Sequence, residues 1–137
     1  MAHRTVLLID DEPEDRAELA DLLINAGYDV VEVGDGRQAL HYLTSDNIEP
    51  ALIVTDLRMP DMSGWEFINI LQSYMRLSCI PLLVVSGVNP LEQHLRDGAV
   101  AEFFLKPISP EPFVESVKKR ARLTRVGQGS LPGSRFD

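Results

Sequence analysis

Five short apolar runs alternate along this chain with longer segments in which apolar residues recur at helical spacing. The runs are too short to be buried helices and are bounded by glycine, proline or aspartate, so they are interpreted as strands. The predicted strands are 6–9, 28–33, 51–55, 82–85 and 101–105. The first, third and fourth are almost continuously apolar, which is typical of strands covered on both faces. The second carries Asp29 and Glu32 and is predicted to lie at an edge of the sheet.

Strands that alternate with helices favour a parallel sheet, because each connection between parallel strands needs a crossover that a helix supplies. Such crossovers are right-handed, which leaves few topologies, and the three most apolar strands belong at the centre. The sequence therefore predicts an α/β fold of the flavodoxin-like (βα)5 type, a three-layer sandwich around a parallel five-stranded sheet of order 2-1-3-4-5. Five helices are predicted, and the fourth is short, beginning at Asn89 and Pro90 and ending near Gly98.

Length and composition restrict the class of protein. At 137 residues the chain is long enough for one domain, which we predict at 4–124, followed by a flexible tail or linker start at 125–137. The net charge of −8 disfavours a nucleic-acid surface on this domain. The N-terminal apolar run 6–9 is too short for a signal or membrane segment, and the single cysteine fits a reducing compartment, so a cytoplasmic protein is expected. That residue, Cys79, is predicted to be a small buried residue beside a strand.

Polar side chains follow four of the predicted strands, in this order: Asp10 with Asp11, Asp56, Ser86 and Lys106. The carboxyl ends of parallel strands meet at one edge of the sheet, where open α/β folds place their ligands. Three clustered carboxylates repel one another unless a cation lies among them, and their hard oxygen ligands suit Mg²⁺. A hydroxyl and an ammonium beside that cation form an anion site that suits a phosphoryl group.

Asp56 is the candidate nucleophile of this cluster. It ends a central strand just before a loop marked by Pro60 and Gly64. A loop aspartate commonly caps the next helix, but Ser63 and Glu66 already provide a capping box there. Asp56 is therefore available to form an acyl phosphate.

Four separated elements together resemble the receiver domain of two-component response regulators: Asp10-Asp11, Asp56 within the run D-L-R-M-P-D-M-S-G, Ser86, and Lys106-Pro107. The resemblance covers about residues 4 to 124. It implies that Asp56 accepts a phosphoryl group from the phosphohistidine of a sensor histidine kinase or phosphotransfer protein. It also implies that Mg²⁺ is held by the side chains of Asp11 and Asp56 and the backbone carbonyl of Arg58, with Asp10 acting largely through water.

The same resemblance assigns roles to other residues. Ser86 is expected to donate a hydrogen bond to one phosphoryl oxygen and Lys106 to pair with another, and the peptide between Lys106 and Pro107 is expected to be cis. Gly87 matches a small residue that leaves room for the phosphodonor, or is simply a turn glycine. Phe103 falls on an aromatic switch position, or is a core aromatic of the fifth strand. The basic residues of the last helix face solvent or form an interface; these are Lys118, Lys119, Arg120 and Arg122.

Several functions stay open at this point. The expected partners are a kinase or phosphotransfer protein and an unidentified downstream target, with the receiver a monomer or a phosphorylation-dependent dimer. The chain is either a stand-alone receiver or part of a larger regulator whose DNA-binding or enzymatic domain lies beyond Asp137. An aspartate-nucleophile phosphatase of the haloacid dehalogenase type is disfavoured, because such an enzyme needs a carboxylate two residues after its nucleophile and that position holds Arg58. No turnover of an external substrate is expected.

Overall fold

A five-stranded parallel sheet forms the centre of the fold. The structure is a computed structural model that describes residues 4–45, 49–87 and 99–129, with side chains described as far as Ala121 in the last helix. The strands are β1 (Thr5–Ile9), β2 (Asp29–Val33), β3 (Leu52–Thr55), β4 (Leu82–Ser86) and β5 (Glu102–Leu105). Their order is β2-β1-β3-β4-β5, and every neighbouring pair is parallel. The predicted sheet order is confirmed.

The described ranges contain four α-helices, namely α1 (Pro13–Asn25), α2 (Gly36–Ser45), α3 (Gly64–Ser73) and α4 (Pro110–Gly129), and a 3-10 turn at Leu77–Cys79. The predicted short helix at 89–98 lies outside the described residues. Helix α4 continues past position 124, the predicted end of the domain. A separate tail from 125 onward stays a prediction. Within the part of the chain that is described, no helix combines the length and apolar character needed to span a membrane.

Local sequence signals set the ends of two helices. Pro13 occupies the first turn of α1, and Gly27 follows that helix with a φ of 102°, a left-handed conformation that glycine adopts without a steric penalty. At the start of α3 the Ser63 hydroxyl oxygen accepts a hydrogen bond from the Glu66 N–H at 3.1 Å. The Glu66 carboxylate accepts one from the Ser63 N–H at 3.0 Å, so the predicted capping box is present.

Two apolar clusters cover the two faces of the sheet, and β1 contributes to both. Val6 and Leu8 pack with residues of α1 and α4, whereas Leu7 and Ile9 pack with residues of α2 and α3. All four side chains are 0% exposed, as expected for a central strand with helices on both faces. The residues of β2 are partly buried or exposed, which confirms its predicted edge position.

Cys79 does not lie in the core. The 3-10 turn advances about 120° per residue, so its members face different sides. Leu77 points into the core and is 1% exposed, whereas Cys79 is exposed to solvent. The prediction of a buried cysteine is wrong because the turn, and not the strand that follows it, sets the direction of this side chain.

Candidate functional site

Backbone hydrogen bonds hold the ends of neighbouring strands side by side. The Asp56 N–H donates to the Ile9 carbonyl at 3.0 Å, and the Lys106 N–H donates to the Ser86 carbonyl at 2.8 Å. The sheet ladder therefore continues one residue beyond β3 and beyond β5. It places Asp10, Asp56, Ser86 and Lys106 at the carboxyl edge of the sheet, where the sequence analysis predicted that they meet.

Asp56 lies at the centre of this edge and is 6% exposed. Its Oδ1 accepts hydrogen bonds from the backbone N–H groups of Leu57 at 2.6 Å and Arg58 at 3.2 Å. Its Oδ2 accepts one from Lys106 Nζ at 3.0 Å. Backbone donors do not rotate away, so they fix the orientation of the carboxylate while its second oxygen faces the ammonium.

The two aspartates after β1 differ in their surroundings. Asp10 is 1% exposed, and its Oδ1 accepts a hydrogen bond from the Glu12 N–H at 3.0 Å. Arg16 Nη1 donates to the backbone carbonyl of Asp10 at 2.7 Å and so holds the loop from the side of α1. Burial raises the pKa of Asp10 above its ordinary value, although the Glu12 N–H and Lys106 oppose the shift. Asp11 is exposed, which leaves one carboxylate of the pair open to water.

Lys106 donates hydrogen bonds to three carboxylates from three parts of the chain. Its Nζ donates to Asp10 Oδ2 at 2.9 Å, to Asp15 Oδ2 at 3.0 Å and to Asp56 Oδ2 at 3.0 Å. Burial by itself lowers the pKa of Lys106, but the hydrogen bonds to these carboxylates outweigh it, and the net shift is upward. The lysine is therefore a cation at physiological pH. The peptide between Lys106 and Pro107 is cis, as the resemblance implied.

Asp15 is the residue of this site that the sequence analysis missed. It lies in the first turn of α1, where acidic side chains are common because they complement the helix dipole. Glu12 and Glu14 are acidic neighbours in the same segment, and no pattern in the sequence separates Asp15 from them. Only the contact with Lys106 distinguishes it.

The remaining predicted site residues lie on β4 and β5 or directly after them. Ser86 ends β4 with its side chain fully buried, and Gly87 after it is exposed. A Cβ built on Gly87 meets no atom within 4 Å, so the surrounding described residues leave open space at this position. Phe103 pairs in register with Val84 and is partly buried against the cluster formed with α2 and α3. This placement alone does not distinguish a switch residue from a core residue.

Gly64 brings the start of α3 against the backbone that carries Asp56. The Gly64 N–H donates to the Leu57 carbonyl at 2.8 Å. A Cβ at Gly64 would lie 2.6 Å from the Asp56 carbonyl oxygen and 2.6 Å from Leu57 Cα. Both contacts are with backbone atoms, which cannot rotate aside, so this position requires glycine.

The three predicted metal-binding carboxylates have a geometry that fits a small divalent cation. Asp10, Asp11 and Asp56 each offer an oxygen, and these atoms lie within 4.8 Å of one another. Ligands of an octahedral Mg²⁺ stand about 3 to 4 Å apart, so a small inward movement satisfies the coordination. The exposure of Asp11 leaves room for the waters that Mg²⁺ usually keeps.

Comparison with known proteins assigns the family. Residues 6–118 match the family model described as the response regulator receiver domain. The chain therefore belongs to this family and carries the receiver domain of two-component response regulators, a signalling domain that works with histidine kinases or phosphotransfer proteins. The two-component response regulator ORR5 of Oryza sativa is 35% identical over 109 residues, which cover 77% of this chain and 79% of that protein.

Solved structures agree with this assignment. A response regulator receiver protein from Pseudomonas putida superposes with a TM-score of 0.79 at 30% identity and covers 87% of this chain and 98% of its own. The receiver domain of the sensor histidine kinase PA1611 from Pseudomonas aeruginosa superposes with a TM-score of 0.77 at 19% identity, over 88% of this chain and 99% of its own. The structure of PA1611 has a magnesium ion coordinated in its active-site cleft. At that identity, the second likeness concerns the fold alone.

Proposed function

We propose that Asp56 accepts a phosphoryl group from the phosphohistidine of a sensor histidine kinase or phosphotransfer protein, and that this modification switches a face that binds a downstream protein. The observation that carries the proposal is the meeting of one ammonium with the carboxylates of Asp10 and Asp56 at the sheet edge, with Lys106 Nζ 3.0 Å from Asp56 Oδ2. A carboxylate held by backbone donors beside a cation is a suitable nucleophile for an anionic phosphoryl group.

In the transfer, an Asp56 carboxylate oxygen forms a bond to phosphorus while the bond between phosphorus and the histidine nitrogen breaks, and the nitrogen keeps the electron pair. Lys106 neutralises negative charge on the phosphoryl oxygens, and the Ser86 hydroxyl donates a hydrogen bond to one of them. The space that the described residues leave at Gly87 supports access by a donor side chain. Hydrolysis of the aspartyl phosphate later resets the domain. We expect no turnover of an external substrate. A phosphatase of the haloacid dehalogenase type needs a carboxylate two residues after its nucleophile, and that position holds Arg58.

The residues assigned to Mg²⁺ are the side chains of Asp10, Asp11 and Asp56 and the backbone carbonyl of Arg58. The spacing of the three carboxylates supports this assignment. When bound, the ion supplies positive charge that offsets the repulsion between the carboxylates and the incoming phosphoryl group. We place the reaction in the cytoplasm and assign this domain no contact with nucleic acid, in keeping with its net charge of −8.

The direct test is the intact mass of the wild-type chain after incubation with acetyl phosphate, with and without Mg²⁺. We expect the mass of one phosphoryl group to be added, and only when Mg²⁺ is present. A chain that remains unmodified with Mg²⁺ and excess donor would refute the proposal.

Mg²⁺ is expected to stabilise the wild-type protein even without a phosphodonor, because it relieves repulsion among the clustered carboxylates. At a Mg²⁺ concentration ten-fold above the dissociation constant the gain is about 1.4 kcal/mol, which raises the melting temperature by several degrees. Asp11→Ala should remove most of this response in thermal unfolding. Asp61→Ala removes an exposed carboxylate from the loop after β3 and serves as the control, with a response like that of the wild type. An unchanged response in Asp11→Ala would place the metal elsewhere.

Phe103 is proposed to turn inward when phosphorylation draws Ser86 towards the phosphoryl group. A fully exposed phenylalanine forgoes about 1.5 to 3 kcal/mol of apolar burial, which is an upper bound for the partly buried Phe103. The inward state is therefore expected to be populated before modification. NMR of the Phe103 ring should show exchange in the unmodified protein and a shift in population on addition of beryllofluoride, a phosphoryl mimic. Phe104 is the control, since its ring packs edge-on against Phe113 at 5.5 Å on the other face of the sheet. If the Phe103 ring never moves, Phe103 is a core residue and not a switch.

A further inference from the structure

We infer that Asp15 is a restraining residue of this site, because it competes with the phosphoryl group for the ammonium of Lys106 and so weakens phosphoryl binding at Asp56. The inference rests on the proposed function, since it concerns the same lysine and the same acceptor. It adds a carboxylate from α1 to a set otherwise drawn from the strand ends.

The hydrogen-bonding capacity of Lys106 is fully used by carboxylates. An ammonium has three N–H groups, and the three acceptors are Asp10, Asp15 and Asp56, all at 2.9 to 3.0 Å. A phosphoryl oxygen therefore gains a hydrogen bond from Lys106 only when one of these carboxylates gives up its own. The ease of that exchange depends on how strongly each carboxylate holds the ammonium.

Asp15 differs from the other two acceptors in having no second role at the site. The carboxylates grouped closely enough for one cation, among the described residues, are Asp10, Asp11 and Asp56, without Asp15. A cation bound to that group would offset the negative charge of Asp10 and Asp56, and would so weaken the attraction of these two carboxylates for Lys106. Asp15 is then the acceptor that still competes for the ammonium.

The size of the effect follows from the position of Asp15 at the surface. Its side chain is 43% exposed, and it lines a groove of about 250 Å³ between α1 and the segment that follows β5. Solvent screens a pair of this kind, which limits its effect on an equilibrium to about a two- to five-fold change. Glu18 lines the same groove. Replacing Glu18 by glutamine removes one negative charge from this groove, as Asp15→Asn does, and so serves as the matched control.

The test measures the affinity of the wild-type chain and its variants for beryllofluoride in the presence of Mg²⁺, followed by the fluorescence of Trp65 or by calorimetry. Asp15→Asn keeps the size and an acceptor oxygen but removes the charge, and we expect it to bind beryllofluoride about two- to five-fold more tightly. Asp15→Glu retains the charge and should stay close to the wild type. Glu18→Gln should also leave the affinity unchanged.

Coupling to Lys106 separates this role from a general effect of charge. In a Lys106→Met background, Asp15→Asn should no longer change the affinity for beryllofluoride. A readout without metal or phosphoryl mimic is urea unfolding in the absence of Mg²⁺. Asp15→Asn should lower the midpoint in the wild-type background but should not lower it in Lys106→Met, where Asp15 only repels the neighbouring carboxylates.

The outcomes distinguish this inference from the proposed function. If Asp15→Asn binds beryllofluoride no more tightly than the wild type, or tightens binding equally in the Lys106→Met background, the restraining role is overturned while the phosphoacceptor site stands. A wild-type chain that does not bind beryllofluoride at all overturns both.

Discussion

Asp56→Asn is expected to abolish phosphorylation by acetyl phosphate, with labelling reduced at least about a hundred-fold and below detection by intact mass. The amide is nearly the same size as the carboxylate, and its oxygen can still accept the hydrogen bonds that Leu57 and Arg58 donate to Oδ1. It lacks the anionic oxygen needed to attack phosphorus. The fold should persist, so circular dichroism and the melting profile should match a native domain.

Asp61→Asn is the matched control for this experiment, because it removes an exposed carboxylate from the loop that follows Asp56. It should be labelled like the wild type. Labelling that persists in Asp56→Asn would show that another side chain is the acceptor, and peptide mapping would then locate it.

Gly64→Ala is expected to lower the free energy of unfolding by about 3 kcal/mol. The added methyl group would approach the Asp56 carbonyl oxygen and Leu57 Cα to 2.6 Å, which is closer than real side chains approach backbone atoms. Relief requires α3 to move away from the loop that carries Asp56, at the expense of the hydrogen bond from the Gly64 N–H to the Leu57 carbonyl. Chemical denaturation measures the loss, and phosphorylation of the folded fraction should slow as well.

Gly87→Ala provides the control for the stability measurement. It makes the same chemical change at a position where the added Cβ meets no atom of the described residues within 4 Å, so the free energy of unfolding should change by less than about 0.5 kcal/mol. A loss in Gly64→Ala no larger than that in Gly87→Ala would show that the close contact at Gly64 does not determine the cost, because the entropy change of the unfolded chain favours alanine in both variants.

Much of the fold was predictable from the sequence because the signals that specify it are local. A continuous apolar run such as 6–9 indicates a strand covered on both faces, and the structure buries it completely. Alternation with helices and the preference for right-handed crossovers then leave few arrangements of the sheet. The convergence of Asp10, Asp56 and Lys106 followed from the same reasoning, since the carboxyl ends of parallel strands share one edge whatever the details of packing.

Other features were decided only by the tertiary structure. Asp15 has the sequence context of an ordinary helix-start acid, and its contact with Lys106 depends on how α1 lies against the sheet. Gly64 has the context of a loop glycine, and its necessity comes from the approach of α3 to the backbone of Asp56. Cys79 was predicted to be buried, but the direction of a single 3-10 turn leaves it exposed. Patterns along the chain indicate the type of each element and which of its faces is buried, because residues close in sequence determine both. The partner of a charged or very small residue is instead set by the relative placement of two elements, and no local pattern contains that placement.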